Sequence, residues 1–318
     1  MKAFNILFST LVFICTVDTL FCQPSAYLPQ KMAFAHILKQ SDKEFFIVSQ
    51  SDAYNYRDAS SIGNVGNETD SNVTVIYKYE PEFGKFKKMT SLNTCKFFFG
   101  AVLGNSKIYI LGGFNSQMQA SNELLEFDLK VGEWKKLASM KNKRAKFVCE
   151  YHNNKIYVLN GIGNAGNFEV FDIATGKWST LVPNIISSQV THLDTIAASD
   201  IIDASIYFIS PDGKKFFEYH VLDNKLINRS MPSFSKTDFG FTAHNKKVYV
   251  ADGYNQGKID GRIYVYHALT DKWEPAGFNP FARSGVAMLF YNNSLFFIGG
   301  NDSDQYPTDI ISLSKPMK

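Results

Sequence analysis

Four basic side chains recur at one fixed distance from a repeated aromatic residue. Each stands thirteen residues before that aromatic, and the four are Lys96, Arg144, Lys236 and Arg283. Basic groups bind carboxylates, arginine through two parallel hydrogen bonds and lysine as a point charge. Cations at one repeated position fall on one edge of a repetitive molecule. We therefore predict that they bind an acidic protein or peptide partner at the mouth of the fold. The alternative is that they make structural hydrogen bonds at the rim.

The remaining reactive residues form no recognised catalytic or metal-binding arrangement. The sequence contains no G-x-S-x-G, no H-E-x-x-H, no glycine-rich phosphate loop and no C-x-x-C motif. Its six histidines are scattered, at positions 36, 152, 192, 220, 244 and 267. His220 and His267 occupy a repeat position that carries Asp or Glu in other units, and we interpret them as hydrogen-bonding groups at strand ends. We therefore predict no catalytic residue, no metal ion and no cofactor.

The cations belong to a repeated unit whose signature is a short apolar segment around the aromatic residue. The sequence KIYILGG at 107–113 returns as KIYVLNG, SIYFISP, KVYVADG and SLFFIGG, and a weaker copy, EFFIVSQ, lies at 44–50. The marker aromatics of the six copies are Phe46, Tyr109, Tyr157, Tyr207, Tyr249 and Phe296. Their intervals are 63, 48, 50, 42 and 47 residues. Such a period is typical of β-propeller blades.

Two further patterns divide each unit into four short strands. Four residues before the marker aromatic stands an Asn or Asp in all six copies, namely Asp42, Asn105, Asn153, Asp203, Asn245 and Asn292. These residue types tolerate the left-handed backbone of a tight hairpin. Downstream, a polar residue precedes a large apolar one by six positions across a second turn, as in Asp128 and Trp134. Four antiparallel strands in each of six units predict an all-β, six-bladed propeller.

An aromatic followed by paired glycines, with a polar residue six positions before a tryptophan, resembles the kelch motif. The resemblance spans essentially the whole chain after residue 22. It implies that the aromatics and tryptophans pack between blades and that the glycines allow close backbone approach. These motif residues are Tyr109, Gly112, Gly113, Trp134, Tyr157, Gly161, Trp178, Tyr249, Gly253, Trp273, Gly299 and Gly300. Blades one and four depart from the motif, with Ser49-Gln50 and Ser210-Pro211 in place of the glycines.

The sixth unit lacks its fourth strand. It reaches Lys318 before the aromatic of that strand is due. The segment from Gln23 to Gln30 precedes the first strand of blade one and has no other role. An unclosed ring would leave sheet edges exposed, which folded proteins avoid. We therefore predict that this segment supplies the outer strand of blade six.

The first 22 residues have the composition of a signal peptide. Lys2 is followed by an apolar core of ten residues, which is too short to span a membrane. We predict cleavage after Cys22; cleavage near Thr19 and a buried N-terminal strand are the alternatives. The domains are then a signal peptide, 1–22, and a propeller, 23–318. No second apolar run approaches a membrane-spanning length, so we expect a secreted, extracellular protein.

The composition agrees with a secreted glycoprotein that has a packed core. Aromatic residues make up 15% of the chain, which favours sheet, and a net charge of +3 with mixed signs argues against nucleic acid as a partner. Beyond the signal peptide lie Cys95 and Cys149, whose offset register favours two thiols over a disulfide bridge, although both readings stay open. Sequons predict glycosylation at Asn67, Asn72, Asn228, Asn292 and Asn301.

The resemblance to kelch proteins suggests functions of different classes. In kelch adaptors of ubiquitin ligases, arginines at the position of Arg144 and Arg283 line a pocket for acidic peptides; Lys96 and Lys236 match only in charge. The sequence shows none of the adaptors' other domains, so a ubiquitin-ligase role does not transfer. We expect a monomeric binding module without enzymatic activity. The alternative is an epimerase of the secreted six-bladed kelch type acting on sialic acid, although no acid–base pair stands out. An adhesion or structural module is the third possibility.

Overall fold

The computed structural model describes residues 24–50, 73–94, 96–162, 168–182, 184–185, 198–210, 213–314 and 317. The predicted signal peptide, the sequons at Asn67 and Asn72, and Cys95 lie outside these residues. Every helix or strand within the described ranges is a β-strand. Accordingly, the described part of the chain contains no helix that is long and apolar enough to cross a membrane.

The strands follow the repeat seen in the sequence. In the first half of the chain they are β1 (Pro24–Met32), β2 (His36–Ser41), β3 (Glu44–Gln50), β4 (Thr74–Glu80), β5 (Lys85–Leu92), β6 (Gly100–Gly104), β7 (Lys107–Leu111), β8 (Leu124–Asp128), β9 (Glu133–Lys136), β10 (Val148–His152), β11 (Lys155–Leu159), β12 (Phe168–Asp172) and β13 (Lys177–Leu181). In the second half they are β14 (Asn184–Ile185), β15 (Ala198–Ile202), β16 (Ser205–Ile209), β17 (Phe216–His220), β18 (Lys225–Asn228), β19 (Gly240–His244), β20 (Lys247–Ala251), β21 (Tyr254–Asn255), β22 (Lys258–Ile259), β23 (Arg262–His267), β24 (Lys272–Phe278), β25 (Ala287–Tyr291), β26 (Ser294–Ile298) and β27 (Thr308–Leu313).

Six sheets correspond to the six predicted units. Strands β2–β5, β6–β9 and β10–β13 form blades one to three, with sequential strands paired antiparallel. Blade four consists of β15–β18 and carries β14 as a parallel fifth strand on its outer edge. Blade five consists of β19, β20, β23 and β24, and blade six begins with β25–β27. The prediction of an all-β, six-bladed propeller is confirmed.

Strand β1 completes blade six. It pairs antiparallel with β27, with Pro24 opposite Ser312 and Met32 opposite Thr308. The strand order of this sheet is therefore β1-β27-β26-β25. The segment just after the predicted signal peptide thus forms the outer strand of the blade built from the last residues of the chain, and the predicted closure is confirmed.

The first strand of each blade lies beside the first strands of both neighbouring blades. Strand β2 contacts β6, β6 contacts β10, and the series continues through β15, β19 and β25 back to β2. Sheets that meet in this cyclic order surround a single axis. Because side chains alternate between the two faces of a sheet, each blade packs one face against each neighbour.

Six hydrophobic clusters occupy the six interfaces between blades, and the repeated aromatics lie within them. Tyr109 of blade two, for example, is fully buried against β11 of blade three. Burying a large apolar side chain stabilises a fold by about 1.5–3 kcal/mol. The indole N–H groups add hydrogen bonds across the interfaces: Trp134 donates to Thr90 Oγ1 at 3.0 Å, and Trp178 to the Ala138 carbonyl at 2.7 Å.

The hairpin between the first two strands contains the expected left-handed residue in five blades. In these blades φ lies between 46° and 54° at Asn105, Asn153, Asp203, Asn245 and Asn292. Blade one differs, because its first ladder contains an irregularity between Lys39 and Ser41. There Asp42 forms an ion pair with Lys39 at 2.6 Å. The shifted register changes the shape of this turn, so Asp42 does not adopt the left-handed conformation.

Candidate functional site

The ring has two faces, which differ in the kind of loop they carry. We call one the connecting-loop face; it bears the segments that join successive blades and the loops between the second and third strands. The other, the hairpin face, bears the turns between strands one and two and between strands three and four. All four predicted cations and the paired glycines lie on the connecting-loop face.

The paired glycines join neighbouring blades through their backbone. The amide of Gly113 donates to the carbonyl of Arg144 at 2.9 Å, and the amide of Gly253 donates to that of Arg283 at 2.8 Å. Both glycines have positive φ, of 83° and 79°. A Cβ atom on Gly253 would lie 2.4 Å from the carbonyl oxygen of Thr237. Only a residue without a side chain allows the backbones to approach so closely.

Arg144 and Arg283 are buried and bonded within their own blades. The Arg144 guanidinium pairs with Glu169, which is also fully buried, and donates to the Asn160 carbonyl at 2.7 Å. Burial lowers the pKa of Arg144, while the charge of Glu169 acts in the opposite direction. The Arg283 guanidinium donates to the Ile310 carbonyl at 2.9 Å. Both guanidinium groups therefore fasten a connecting segment to the sheet that follows it.

Lys236 and Lys96 occupy the same position in blades five and two. The buried Lys236 ammonium donates to three backbone carbonyls at 2.6, 2.9 and 3.1 Å, and burial lowers its pKa. The Lys96 ammonium donates to the Gly112 carbonyl at 3.4 Å and to Glu123 Oε2 at 3.2 Å, and its side chain is 5% exposed. All four cations thus lie beneath the surface, which differs from the exposed ring we expected. A constant spacing fixes where a residue lies along a strand, but the acceptors of its own blade set the direction of its side chain.

Two residues after the cation position in blades two, three, five and six, and one residue after it in blade one, lies a second repeated feature, which the sequence analysis missed. We call it the axial ring; its members have φ between 50° and 60° and are Phe34, Phe98, Lys146, Asp238 and Gly285. Backbone hydrogen bonds join them across blades, from Gly285 to Asp238 at 2.6 Å, from Phe34 to Gly285 at 2.7 Å and from Lys146 to Phe98 at 3.0 Å. These bonds offset the cost of left-handed backbone, about 1–2 kcal/mol per residue. Four members share an offset of two residues from the cations, which could have revealed the ring, but their residue types share no property.

The side chains of the axial ring place an aromatic surface and a cation together. The rings of Phe34 and Phe98 meet edge to face with centroids 5.7 Å apart. The ammonium of Lys146, an exposed residue, lies 4.2 Å from the Phe98 centroid, within the range of a cation–π interaction. Burial raises the pKa of Asp238, and the charge of Lys146 acts in the opposite direction.

Exposed apolar side chains and a cavity accompany the axial ring on the same face. The loops between second and third strands present Met118, Ile162 and Tyr306, each 37–38% exposed. Between the loop of blade two and the next connecting segment lies a cavity of about 270 Å³, bordered by Lys96 and the exposed Lys143. Apolar and aromatic contacts framed by polar groups are typical of surfaces that bind proteins.

Two carboxyl groups lie on the inner strands of blades three and four. Glu150 and Asp200 each stand opposite the marker tyrosine of their blade. Ser199 Oγ donates to Glu150 at 2.5 Å, and Asp200 accepts hydrogen bonds from Thr242 Oγ1 at 3.0 Å and the Ala243 amide at 2.6 Å. Burial, followed by the charge of Asp200, raises the pKa of Glu150 to about 8. The pair therefore combines a neutral carboxylic acid at pH 7 with a carboxyl group that accepts several hydrogen bonds.

The predicted modification sites and thiols differ in exposure. Asn292 is exposed on the hairpin face, whereas Asn228 is half-buried. Asn301 is 5% exposed, so its side chain lacks the room that a glycan needs. Cys149 is a free, buried thiol, and burial raises its pKa well above the usual range.

His220 and His267 each lie beside a carboxylate at a strand end. His220 Nδ1 is 3.0 Å from Asp223 Oδ2, and His267 Nε2 is 2.6 Å from Glu274 Oε1. Within the ranges that the structure covers, no three His, Cys, Asp or Glu side chains converge in a way that could hold a metal ion.

Comparisons with known proteins identify the repeat and the fold. The family model for the Kelch motif matches residues 96–141. Kelch-like protein 40 of Xenopus laevis is 34% identical over 102 residues, which are 30% of this chain and 16% of that protein. Its counterpart in Xenopus tropicalis is 32% identical over 78 residues, 23% of this chain and 13% of that protein. The chain thus matches a small part of these relatives. The solved structure of YjhT superposes with a TM-score of 0.69 at 18% identity and covers 91% of this chain and 99% of that one, a likeness of fold.

Proposed function

We propose that this six-bladed β-propeller, which carries a Kelch motif at residues 96–141, is a secreted kelch-repeat module that binds an acidic protein or peptide on its connecting-loop face. A kelch propeller supports protein binding in general. The observation that carries the finer proposal is the contact of Lys146 with the Phe98 ring, three residues after the exposed Lys143, which puts aromatic surface and exposed cations on that face. The predicted signal peptide and sequons support secretion.

The charge of the segment between blades two and three favours an acidic partner. Lys143 and Lys146 are exposed. Their basic neighbours are already engaged, since Lys141 Nζ donates to Thr180 Oγ1 at 2.8 Å and Arg144 pairs with Glu169. Exposed cations on one surface raise the rate at which a partner of opposite charge docks, and they disfavour basic partners.

In this proposal the four buried cations have mainly structural roles. Arg144, Lys236 and Arg283 bond the connecting segments to their blades and so fix the loops that a partner would touch. A partner would reach the fourth, Lys96, through the cavity beside it. Charge reversal at Arg144 would unfold the blade before it tested binding, so the experiment needs the exposed lysines.

Charge reversal at Lys143 and Lys146 tests the proposal. The protein without residues 1–22 is used to capture partners from extracellular fluid, and each captured protein is then purified and its Kd measured. We expect the double variant Lys143→Glu, Lys146→Glu to weaken binding by about tenfold or more, since each lost charge contact is worth on the order of 1 kcal/mol. The matched control, Lys130→Glu with Lys177→Glu, places the same charge change on exposed turns of the hairpin face. Equal weakening by both pairs, or by neither, would exclude the connecting-loop face.

A second candidate function, epimerisation of sialic acid, is favoured by Glu150 and Asp200. A neutral carboxylic acid beside a second carboxyl group can donate and accept the protons that opening and reclosing a sugar ring require. Nuclear magnetic resonance of freshly dissolved sialic acid anomers measures their interconversion. Acceleration that Glu150→Gln abolishes would support this activity. No acceleration by the parent protein would exclude it.

A further inference from the structure

The charge of this chain is distributed unevenly around the ring. Residues 85–146 contain twelve Lys or Arg residues and four Asp or Glu residues, a local net charge of +8, whereas the whole chain carries +3. The rest of the chain therefore carries −5. Glu133 is the exposed acidic residue of this stretch. Nine of its basic residues are exposed lysines, namely Lys85, Lys87, Lys88, Lys130, Lys135, Lys136, Lys141, Lys143 and Lys146.

Six of these lysines lie on or beside the outer strands of blades one and two. We call them the lysine flank; they are Lys85, Lys87 and Lys88 on β5, Lys130 in the turn before β9, and Lys135 and Lys136 on β9. Each of these strands is the outermost of its sheet. The hydrogen bond of 3.0 Å from the Trp134 indole to Thr90 Oγ1 joins β9 to β5. The flank is therefore one surface on the circumference of the ring, away from the buried cations of the connecting-loop face.

The carboxylates on the strands next to the flank are bound to other groups. Glu80 pairs with Lys78 at 2.9 Å, and Glu126 pairs with Lys107. Asp128 accepts a hydrogen bond of 2.9 Å from the backbone amide at the start of its own turn. Two exposed carboxylates, Glu82 and Glu133, lie at the turns of the same two hairpins. Six exposed lysines beside two exposed carboxylates leave the flank strongly positive.

Two contacts show how closely the positive charges are packed. Lys87 lies directly opposite Lys78 in the ladder between β4 and β5, and like charges at such positions destabilise a sheet. On β9, Lys136 pairs with Glu123 at 2.9 Å, and Glu123 is shared with Lys96 at 3.2 Å. A bound polyanion would relieve the repulsion between the flank lysines.

The shape and composition of the flank favour a long, flexible polyanion. Lysine acts as a hydrated point charge, without the planar fork by which arginine binds carboxylate and phosphate groups. The large exposed apolar side chains of residues 85–146 are Met118 and Val131, neither of which offers a ring for stacking nucleic-acid bases. A flat membrane touches little of a convex circumference, whereas a flexible chain can follow it. Clusters of Lys and Arg of this kind are typical of surfaces that bind heparin.

We propose that the lysine flank binds a linear sulfated polysaccharide, whose sulfate groups contact successive lysines of β5 and β9. This site goes beyond the proposed function, because it lies on the circumference and leaves the connecting-loop face open to a protein. The predicted secretion agrees with such a ligand, since sulfated polysaccharides are abundant polyanions outside cells. Binding to a polyanion releases counterions, so the affinity should fall steeply as the salt concentration rises.

Replacement of three flank lysines by glutamine tests the proposal. Fluorescein-labelled heparin dodecasaccharide is titrated with the protein without residues 1–22 and with its variant Lys87→Gln, Lys88→Gln, Lys135→Gln. The matched control, Lys177→Gln, Lys225→Gln, Lys272→Gln, removes three exposed lysines from the outer strands of blades three, four and five. We expect the flank variant to bind at least tenfold more weakly and the control to bind almost as tightly as the parent. Thermal melts verify that both variants fold.

The outcomes separate the site, the ligand class and the proposed function. Equal weakening by the two triple variants, or by neither, would overturn the flank as the site. Desulfated heparin, oligothymidylate or phosphatidylserine vesicles that bind as tightly as heparin would overturn a sulfated polysaccharide as the ligand, and so would a parent protein that does not bind heparin. The flank variant should bind a captured protein partner with unchanged Kd, so the connecting-loop face is tested independently.

Discussion

On the hairpin face, five blades turn through an Asn or Asp with φ of 46–54°, and the residue type repeats with the geometry. On the connecting-loop face, the axial ring repeats its backbone equally well, with φ of 50–60°, yet its side chains are two phenylalanines, a lysine, an aspartate and a glycine. Turns that face solvent select residues by backbone preference. In the axial ring, hydrogen bonds between blades hold the backbone conformation, so the side chains can differ from blade to blade. A surface whose side chains vary in this way can become specific for a partner.

The largest difference in unfolding free energy is expected between variants of two adjacent residues of the connecting-loop face, Arg144 and Lys143. Arg144→Met leaves Glu169 buried without its ion-pair partner, and breaking a buried pair costs about 3–5 kcal/mol of unfolding free energy. Lys143→Met, at an exposed site, should change it by less than about 0.5 kcal/mol. Urea denaturation measures both. Similar losses in the two variants would contradict the assignment of Arg144 as a structural residue.

Two glycines with similar φ angles, one on each face, allow the cost of a Gly→Ala substitution to be compared between the faces. Gly253 on the connecting-loop face and Gly132 on the hairpin face have φ of 79° and 76°. A Cβ at Gly253 would clash with the Thr237 carbonyl, whereas a Cβ at Gly132 meets nothing within 4 Å. We expect Gly132→Ala to cost about 1–2 kcal/mol and Gly253→Ala about 2–5 kcal/mol, because overpacking is added. Equal costs would show that the backbones at Gly253 can separate without loss.

Glu150, on an inner strand between the two faces, should make the free energy of unfolding depend on pH. Glu150 has a pKa of about 8 in the folded protein and an ordinary value of 4.5, so the folded state binds more protons between these values. The free energy of unfolding should therefore fall as pH rises through this window, by at most about 1.4 kcal/mol per pH unit from this group, and level off above pH 8.

Glu150→Gln tests that dependence. The variant cannot ionise, so we expect it to be more stable than the parent at pH 9, with the difference vanishing near pH 4. Melting curves across this range measure the effect, and Glu133→Gln, exposed on the hairpin face, should follow the parent. Parallel curves for the parent and Glu150→Gln would show that burial does not retain a proton on this group.

The smallest expected effect concerns the tryptophans at the blade interfaces. Trp134→Phe keeps most of the apolar contact and removes the hydrogen bond to Thr90. One such bond is worth about 1 kcal/mol net, and chemical denaturation can resolve that loss. A loss several times larger would mean that the indole acts mainly by packing.

The repeat in the sequence predicted the architecture because a blade is a local structure. Three local signals predicted the six blades and their closure: the marker aromatics, the Asn or Asp at each hairpin and the spare segment after residue 22. Each signal depends on a short stretch of chain. The burial of Arg144 could not be predicted from such local signals. Its partner Glu169 lies 25 residues away, and nothing in the spacing shows that the two side chains meet.

Glu150 and Asp200 share a repeat position that the sequence analysis did not single out. Both stand seven residues before a marker tyrosine, a position that holds the apolar residues Val102 and Leu289 in blades two and six. A comparison of the six units at every position would have exposed the two carboxyl groups. The axial ring needs coordinates, since φ is its shared property.

The pairing of β1 with β27 sets the order of events when this protein is made. The first nine residues of the ring stay without their pairing strand until Thr308–Leu313 has been synthesised, because these residues form β27. Until then β27 is missing from blade six, and the unpaired edges of β1 and β26 can pair with another extended chain. Termination before β27 would leave both β1 and β26 without the strand that lies between them and would leave the ring open.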